Sequence, residues 1–326
     1  MKSTQSFKRL PLLLAIAAVG LGGMAARAAD YPTRPIHVVV PYGGGSASDV
    51  VARIMFREMQ KTLGQPIVDD NMPGAGGDIG TASVSRAAPD GYTLLITGVG
   101  PLAANRSLFK KLDYDPEKLA PISQFVSLPN IVVVSKKLPV KTLGEFIAYA
   151  KAHPGLNFGT VGFGSSQHLS GLYFEQLTGV KLTHVPYRQI SQFPLDFAAG
   201  QVPIGFQLYP NIVSLLKNDK ATPLAVAATK RLPILPNVPT AEEAGVKNYE
   251  TAAWLALLAP GGTPKVIIDK VYAAMKMAMQ QPDVIEQYKK LGAEPLAPGP
   301  DALARLIKDD TAKWHKIIET AGIKPM

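Results

Sequence analysis

The 326-residue chain contains no cysteine. Disulfides are therefore excluded, a lipid-anchored N-terminal cysteine is impossible, and stability must come from packing. Long hydrophobic runs are also missing. The apolar run Leu12 to Met24 is short for a membrane span, and no later segment approaches the ~18 unbroken apolar residues that a span needs. No basic run with interleaved aromatics appears, which argues against a nucleic-acid partner. His37, His153, His168, His184 and His315 are scattered without i,i+4 pairing. Asp69-Asp70 and Asp309-Asp310 lack further oxygen ligands in loop spacing, so no metal is expected. Neither G-x-G-x-x-G nor G-K-[ST] follows a strand, and no nucleotide or other cofactor is expected.

What is present begins with an address. Lys2, Lys8 and Arg9 precede the apolar run, and Ala26-Arg27-Ala28 closes it as an A-x-A cleavage signal. Residues 1–28 read as a cleaved export signal, which places the mature protein in the periplasm. Four basic residues leave with it, so +5 remains of the formal +9. A mild cationic bias suits small anions, and it equally describes a solvated basic surface.

The mature chain is long enough for two lobes. Short apolar strands alternate with amphipathic helices, an α/β pattern with parallel crossovers. Strands are expected at Ile36–Val40, Ile67–Val68, Tyr92–Thr97, Ile131–Ser135, Asn157–Gly159, Ile204–Leu208 and Leu224–Thr229. Helices are expected at Asp49–Leu63, Ile79–Ala87, Leu143–His153, Leu169–Leu177 and Pro194–Ala199. Three more, starting at Pro264, Pro282 and Pro300, fill the last third. Ile131–Ser135 and Thr251–Ala259 are the candidate segments by which the chain passes between lobes. The expected division is lobe one at 29–130, lobe two at 131–252, and a return to lobe one at 253–326, with two sheets and a two-strand hinge.

Two Gly/Ser turns carry the functional signal. Tyr42, Gly43, Ser46, Ala47 and Ser48 follow the first strand, and Thr160, Gly162, Phe163, Gly164, Ser165, Ser166 and His168 form the second turn. A strand that turns into a helix through small residues aims free N–H groups and the positive end of a helix at one place, which suits an anion. Each serine serves equally well as a helix cap, and Asp49 reads as structural because a carboxylate repels an anionic ligand. Further cleft candidates are Gly98-Val99-Gly100, Tyr187-Arg188-Gln189, Phe193, Gln207-Leu208-Tyr209 and Trp254. A nucleophilic Ser166 or Ser165 with His168 or His184 as base is the enzyme alternative, though Gly164-Ser165-Ser166-Gln167 breaks the G-x-S-x-G pattern.

Several segments in order resemble the Bug-type solute receptors, the extracytoplasmic binding proteins of tripartite tricarboxylate transporters. They include Tyr31-Pro32-x-Arg34-Pro35-Ile36, Pro41-Tyr42-(x)3-Ser46-x-x-Asp49 and Asn71-x-Pro73-Gly74-Ala75-Gly76-Gly77. Gly162-x-Gly164-Ser165-x-x-His168-Leu169, His184-Val185-Pro186-Tyr187 and Trp254-(x)4-Ala259-Pro260-x-Gly262-Thr263-Pro264 continue the series. The resemblance implies a two-lobed Venus flytrap that closes on a small carboxylate and delivers it to membrane permease subunits. It also implies that Tyr42–Ser48 and Thr160–His168 grip the carboxylates, partly through water. The chain departs from that pattern at Gln189 and Gln192, where the family has Gly and Pro, and at Met72, where it has Arg. Gln207 stands where an Asp often sits, which argues against amino acids. The expectation is a monomeric, non-enzymatic binder of a dicarboxylate, with terephthalate favoured. A receptor feeding a sensor kinase is the other alternative.

Overall fold

The β-branched run that follows Pro35 forms strand β1 (Ile36–Val40), the buried start of a strand–turn–helix unit. The computed structural model describes residues 30–325, so the expected export signal lies outside the described residues. β1 feeds helix α1 (Ala47–Leu63), then β2 (Ile67–Asn71), α2 (Asp78–Ser85) and β3 (Thr93–Gly98). A π-helical turn, Gly100–Ala104, leads into α3 (Asn105–Leu108) and β4 (Ala120–Pro129). Beyond Asn130 follow β5 (Ile131–Ser135), α4 (Leu143–Ala152), β6 (Leu156–Thr160), α5 (Ser166–Thr178) and β7 (Leu182–Pro186). The second block ends with α6 (Phe193–Ala199), β8 (Ile204–Gln207), α7 (Tyr209–Lys217) and β9 (Ala221–Val226). The chain then returns as β10 (Ala252–Ala259), α8 (Lys265–Met279), α9 (Pro282–Lys290), β11 (Glu294–Pro295) and α10 (Pro300–Thr320).

These strands make two mixed sheets, ordered β11-β4-β10-β3-β1-β2 and β7-β6-β8-β5-β9. In the first, β1 is parallel to β2 and β3, while β10 runs antiparallel between β3 and β4. In the second, β6 is parallel to β7 and β8, and β5 is antiparallel to β8 and β9. Helices cover both faces of each sheet, so the two-lobed α/β fold expected from the sequence is the fold observed. The first sheet buries Val38, Met55 and Met275 on one face and Trp254, Leu303 and Trp314 on the other. The second buries Phe146, Phe158 and Phe174 on one face and Phe193, Phe197 and Ile212 on the other. Each such side chain contributes roughly 1.5–3 kcal/mol when fully removed from water.

Of the elements absent from the sequence reading, β4 and α7 are the longest. β4 is hidden by Pro121 and Pro129 near its ends and by the polar Ser123, Gln124 and Ser127 within it; its place beside β10 makes it a strand. α7 begins Tyr209-Pro210-Asn211, and its proline in the first turn is compatible with a helix start. β9 also starts earlier than expected, at Ala221.

The passage between sheets is made at single residues. Asn130 donates its N–H to the Thr251 carbonyl (3.0 Å), Ala227 donates to the Asn130 carbonyl (2.8 Å), and Thr251 donates to the Ala227 carbonyl (3.0 Å). The buried Asn130 side chain adds a bond from Nδ2 to the Phe206 carbonyl. The two crossing backbones, at Asn130 and Thr251, are thus tied to each other and to Ala227 just beyond β9 in a ring. No helix among the described residues is long and apolar enough to cross a membrane.

Candidate functional site

The two Gly/Ser turns stand at the carboxyl ends of β1 and β6, where an α/β sheet ordinarily presents its ligand site. Both are built alike. Ser46 caps α1 by accepting the Asp49 N–H, and Ser165 caps α5 by accepting the His168 N–H. Each cap uses the first serine of its pair. The second serines, Ser48 and Ser166, make no side-chain hydrogen bond with any described residue, and the two face one small cavity between the lobes. The N–H groups of Ser48, Ser166 and Gln167 belong to first helical turns and have no intrahelical acceptor.

That cavity measures about 20 Å³, the scale of a single water molecule. Its polar lining comes from Tyr42, Ser48, Ser166, Gln167 and Asn211, and its apolar lining from Val99, Val161, Leu208, Leu255 and Trp254. No charged side chain of the described residues lines it. The lobes meet closely around it. A Cβ added at Gly76 or Gly100 would overlap the carbonyl oxygens of Phe163 and Gly164, and one at Gly164 would overlap the Asn105 side chain. A molecule larger than water enters only when the lobes separate.

Of the residues singled out in the sequence, Tyr42, Ser46, Ala47, Ser48, Gly98, Val99, Ser165, Ser166, Leu208 and Trp254 line the cavity. The others take different places. Gly43 is buried against Gln189: a Cβ there would lie 2.6 Å from the Gln189 amide oxygen, so only a glycine fits beside that side chain as it stands. Gly44 and Gly45 are exposed, and Gly45 has φ +76°, a conformation that explains the glycine without a ligand. Thr160 is fully buried and binds His184 Nε2 (2.6 Å) and the Gly162 N–H (3.0 Å). Phe163 packs on Phe109, His168 and His184, away from the cavity. Tyr187 donates to Asp196 and packs on Phe193, and Arg188 is exposed. Gln207 is fully buried and donates to the Gly159 carbonyl (2.7 Å).

Different groups hold the turns from behind. Asp49 accepts the Gly45 N–H (2.8 Å), Asn71 Nδ2 (2.9 Å) and Arg53 Nε (3.0 Å). Burial raises its carboxyl, but those hydrogen bonds outweigh burial and hold it below the usual range. Asp69 lies beyond it, 2.9 Å from Arg53 Nη2. Burial and the neighbouring Asp49 push its carboxyl up to about 7. In the second turn, His168 Nδ1 accepts the Gly164 N–H (3.2 Å). Burial, and then the neighbouring His184, lower its imidazole to about 3, and burial lowers His184 to about 4. A neutral, weakly basic His168 whose Nδ1 is already engaged is poorly suited to act as the base for Ser166. Among the described residues no group of three or more His, Asp or Glu side chains could hold a metal ion.

Sequence reasoning reached Leu208 as a cleft candidate and Gln167 as part of the second turn, and missed Asn211. Pro210 just after a strand end was a usable signal for a helix start carrying Asn211 into the cleft.

Known proteins share this fold and much of this sequence. The model of the tripartite tricarboxylate transporter family receptor matches residues 51–323. A UPF0065 protein of Agrobacterium vitis, from the TAR-I ttuE-ttuC′ intergenic region, is 36% identical over 90% of this chain and 86% of its own. Protein BugT of Bordetella pertussis is 33% identical over 94% and 95%. Among solved structures, the R. palustris protein Rpa4515 with adipate has a TM-score of 0.87 at 35% identity, covering 91% of this chain and all of that one. MatC from Rhodopseudomonas palustris with bound malate has a TM-score of 0.84 at 38% identity, covering 88% and 100%. With the fold and most of the chain matched, this protein belongs to the tripartite tricarboxylate transporter receptor family.

Proposed function

We propose that this receptor captures a small organic dicarboxylate in the periplasm, as a monomer and without chemistry, and surrenders it to the membrane subunits of a tripartite transporter. The observation that carries the reading is the pair of helix starts on one cavity, each with its first serine spent on capping and its second serine unbonded. One carboxylate would take the Ser48 hydroxyl and N–H, and the other would take Ser166 with the Gln167 N–H. Helix dipoles supply the positive potential, and charge-assisted bonds of this kind are the stronger ones. The apolar lining from Val99, Val161, Leu208 and Leu255, with Trp254, favours a hydrocarbon waist, linear or aromatic. The adipate and malate of the related structures support the class and not the member.

A thermal-shift screen with adipate, malate, terephthalate, monocarboxylates and sugars tests this, since a ligand that binds only the folded state raises its apparent stability. Dicarboxylates are expected to raise the melting temperature. Ser48→Ala and Ser166→Ala should each weaken the best of them about tenfold by titration calorimetry. A shift produced by sugars and by no carboxylate would sink the reading.

A further inference from the structure

A chain of three side-chain bonds joins the two turns across the cleft. The Ala47 N–H, in the first turn of α1, donates to Asn211 Oδ1 at 3.0 Å, from one lobe to the other. Asn211 Nδ2 donates to Gln207 Oε1 at 3.1 Å. Gln207 Nε2, fully buried, donates to the Gly159 carbonyl at 2.7 Å. Gly159 lies on β6, the strand that delivers the second Gly/Ser turn. Asn211 also lines the cavity beside Ser48 and Ser166. The α7 start fixes its position, with its own N–H on the Leu208 carbonyl (3.0 Å). An amide is the side chain this place demands: its oxygen meets a helix N-terminus, its nitrogen meets Gln207, and it brings no net charge toward a carboxylate.

We infer that Asn211 is a positioning residue that couples the two turns, holding the first helix start against the second lobe whenever the cleft is shut. This rests on the carboxylate-receptor reading only for the identity of the ligand, not for closure itself. When the lobes part, the Ala47–Asn211 bond is the one broken, while Asn211–Gln207–Gly159 stays within the second lobe.

The absence of cysteine makes the test direct, because Lys151→Cys and Lys270→Cys, both exposed and one on each lobe, give two unique spin-label sites. Inter-label distances are measured in otherwise native protein and in Asn211→Ala, without and with saturating adipate, and adipate dissociation is followed by stopped flow. Asn211→Ala is expected to lose short-distance population and to release adipate about tenfold faster, the loss of roughly one hydrogen bond. Superimposable distance distributions in both conditions would overturn the inference. If adipate and other carboxylates fail to bind at all, the functional reading falls, and the ligand-free distributions still decide the role of Asn211. Asn211→Ser, too short to span both partners, repeats the test should the alanine variant fail to fold.

Discussion

The two Gly/Ser turns are near copies in backbone and opposites in support. Ser46 and Ser165 cap their helices at φ −65°, ψ 161° and φ −64°, ψ 160°, and both helices end on a left-handed glycine, Gly64 and Gly179. Behind the first turn sits a carboxylate, Asp49, tied to Arg53 and Asn71. Behind the second sits a neutral imidazole, His168, packed against Phe163 and His184. The same local shape is thus held once by a charged network and once by an aromatic stack. Capping chemistry sets the turn, and what pins it is interchangeable. The pins should differ in their response to mutation and to pH.

The largest effect is expected where the charged network is removed. Asp49→Ala deprives the Gly45 N–H, Asn71 and Arg53 of their shared acceptor and takes a carboxylate from the first helical turn. A cost of about 2–3 kcal/mol in urea unfolding is expected, with an unchanged m-value. A cost no greater than that of an ordinary surface substitution would mean that the network does not hold the turn.

The aromatic side should break more gently and show its own pH signature. His168→Leu leaves the Gly164 N–H without an acceptor, about 1–2 kcal/mol, whereas His168→Gln keeps one. The unfolded chain titrates histidine near 6.5, while His168 and His184 are held near 3 and 4. Between about 6.5 and 3 the unfolded state binds more protons, so stability falls as pH falls. His168→Gln should flatten that acid limb. An unchanged slope would show that the imidazole does not carry it.

The smallest and opposite effect belongs to Asp69. Its folded carboxyl titrates near 7 against 3.8 unfolded, so the folded state binds more protons between those values and stability falls as pH rises through them. Asp69→Asn should remove that decline, raising the melting temperature by a few degrees at pH 8 and scarcely at pH 4. An equal effect at both pH values would contradict it.

Much of this was legible in the sequence, for local reasons. Strand–turn–helix units at Val40 to Asp49 and Gly159 to His168 announce themselves through glycine and serine, and the family motifs placed them in separate lobes. The division of labour within each serine pair was not legible, because either serine can cap and only the finished turn decides that Ser46 and Ser165 do. Gly100 and Gly164 read as cleft residues and Gly76 as part of a motif, yet each is required by contact with a backbone or side chain from the other lobe. Asn211 escaped for the same reason: its partner Ala47 is 164 positions away and meets it only across the cleft. Phe163 and Tyr187, attractive as ring-stacking residues, are used in packing: Phe163 against His168, His184 and Phe109 of the first lobe, and Tyr187 against Phe193.

The place of β10 bears on the order in which the molecule can be assembled. The strands of the second sheet lie in one stretch, Ile131–Val226, and need nothing from elsewhere to pair. The first sheet has a gap between β3 and β4 that only Ala252–Ala259 fills, with Leu255 facing Gly98. Both neighbours therefore keep unpaired edges until most of the chain exists, and closing so long a loop is slow. The later lobe is free to form first and the earlier one must wait, a delay well matched to a polypeptide that, on the reading proposed above, is threaded through a membrane before it folds.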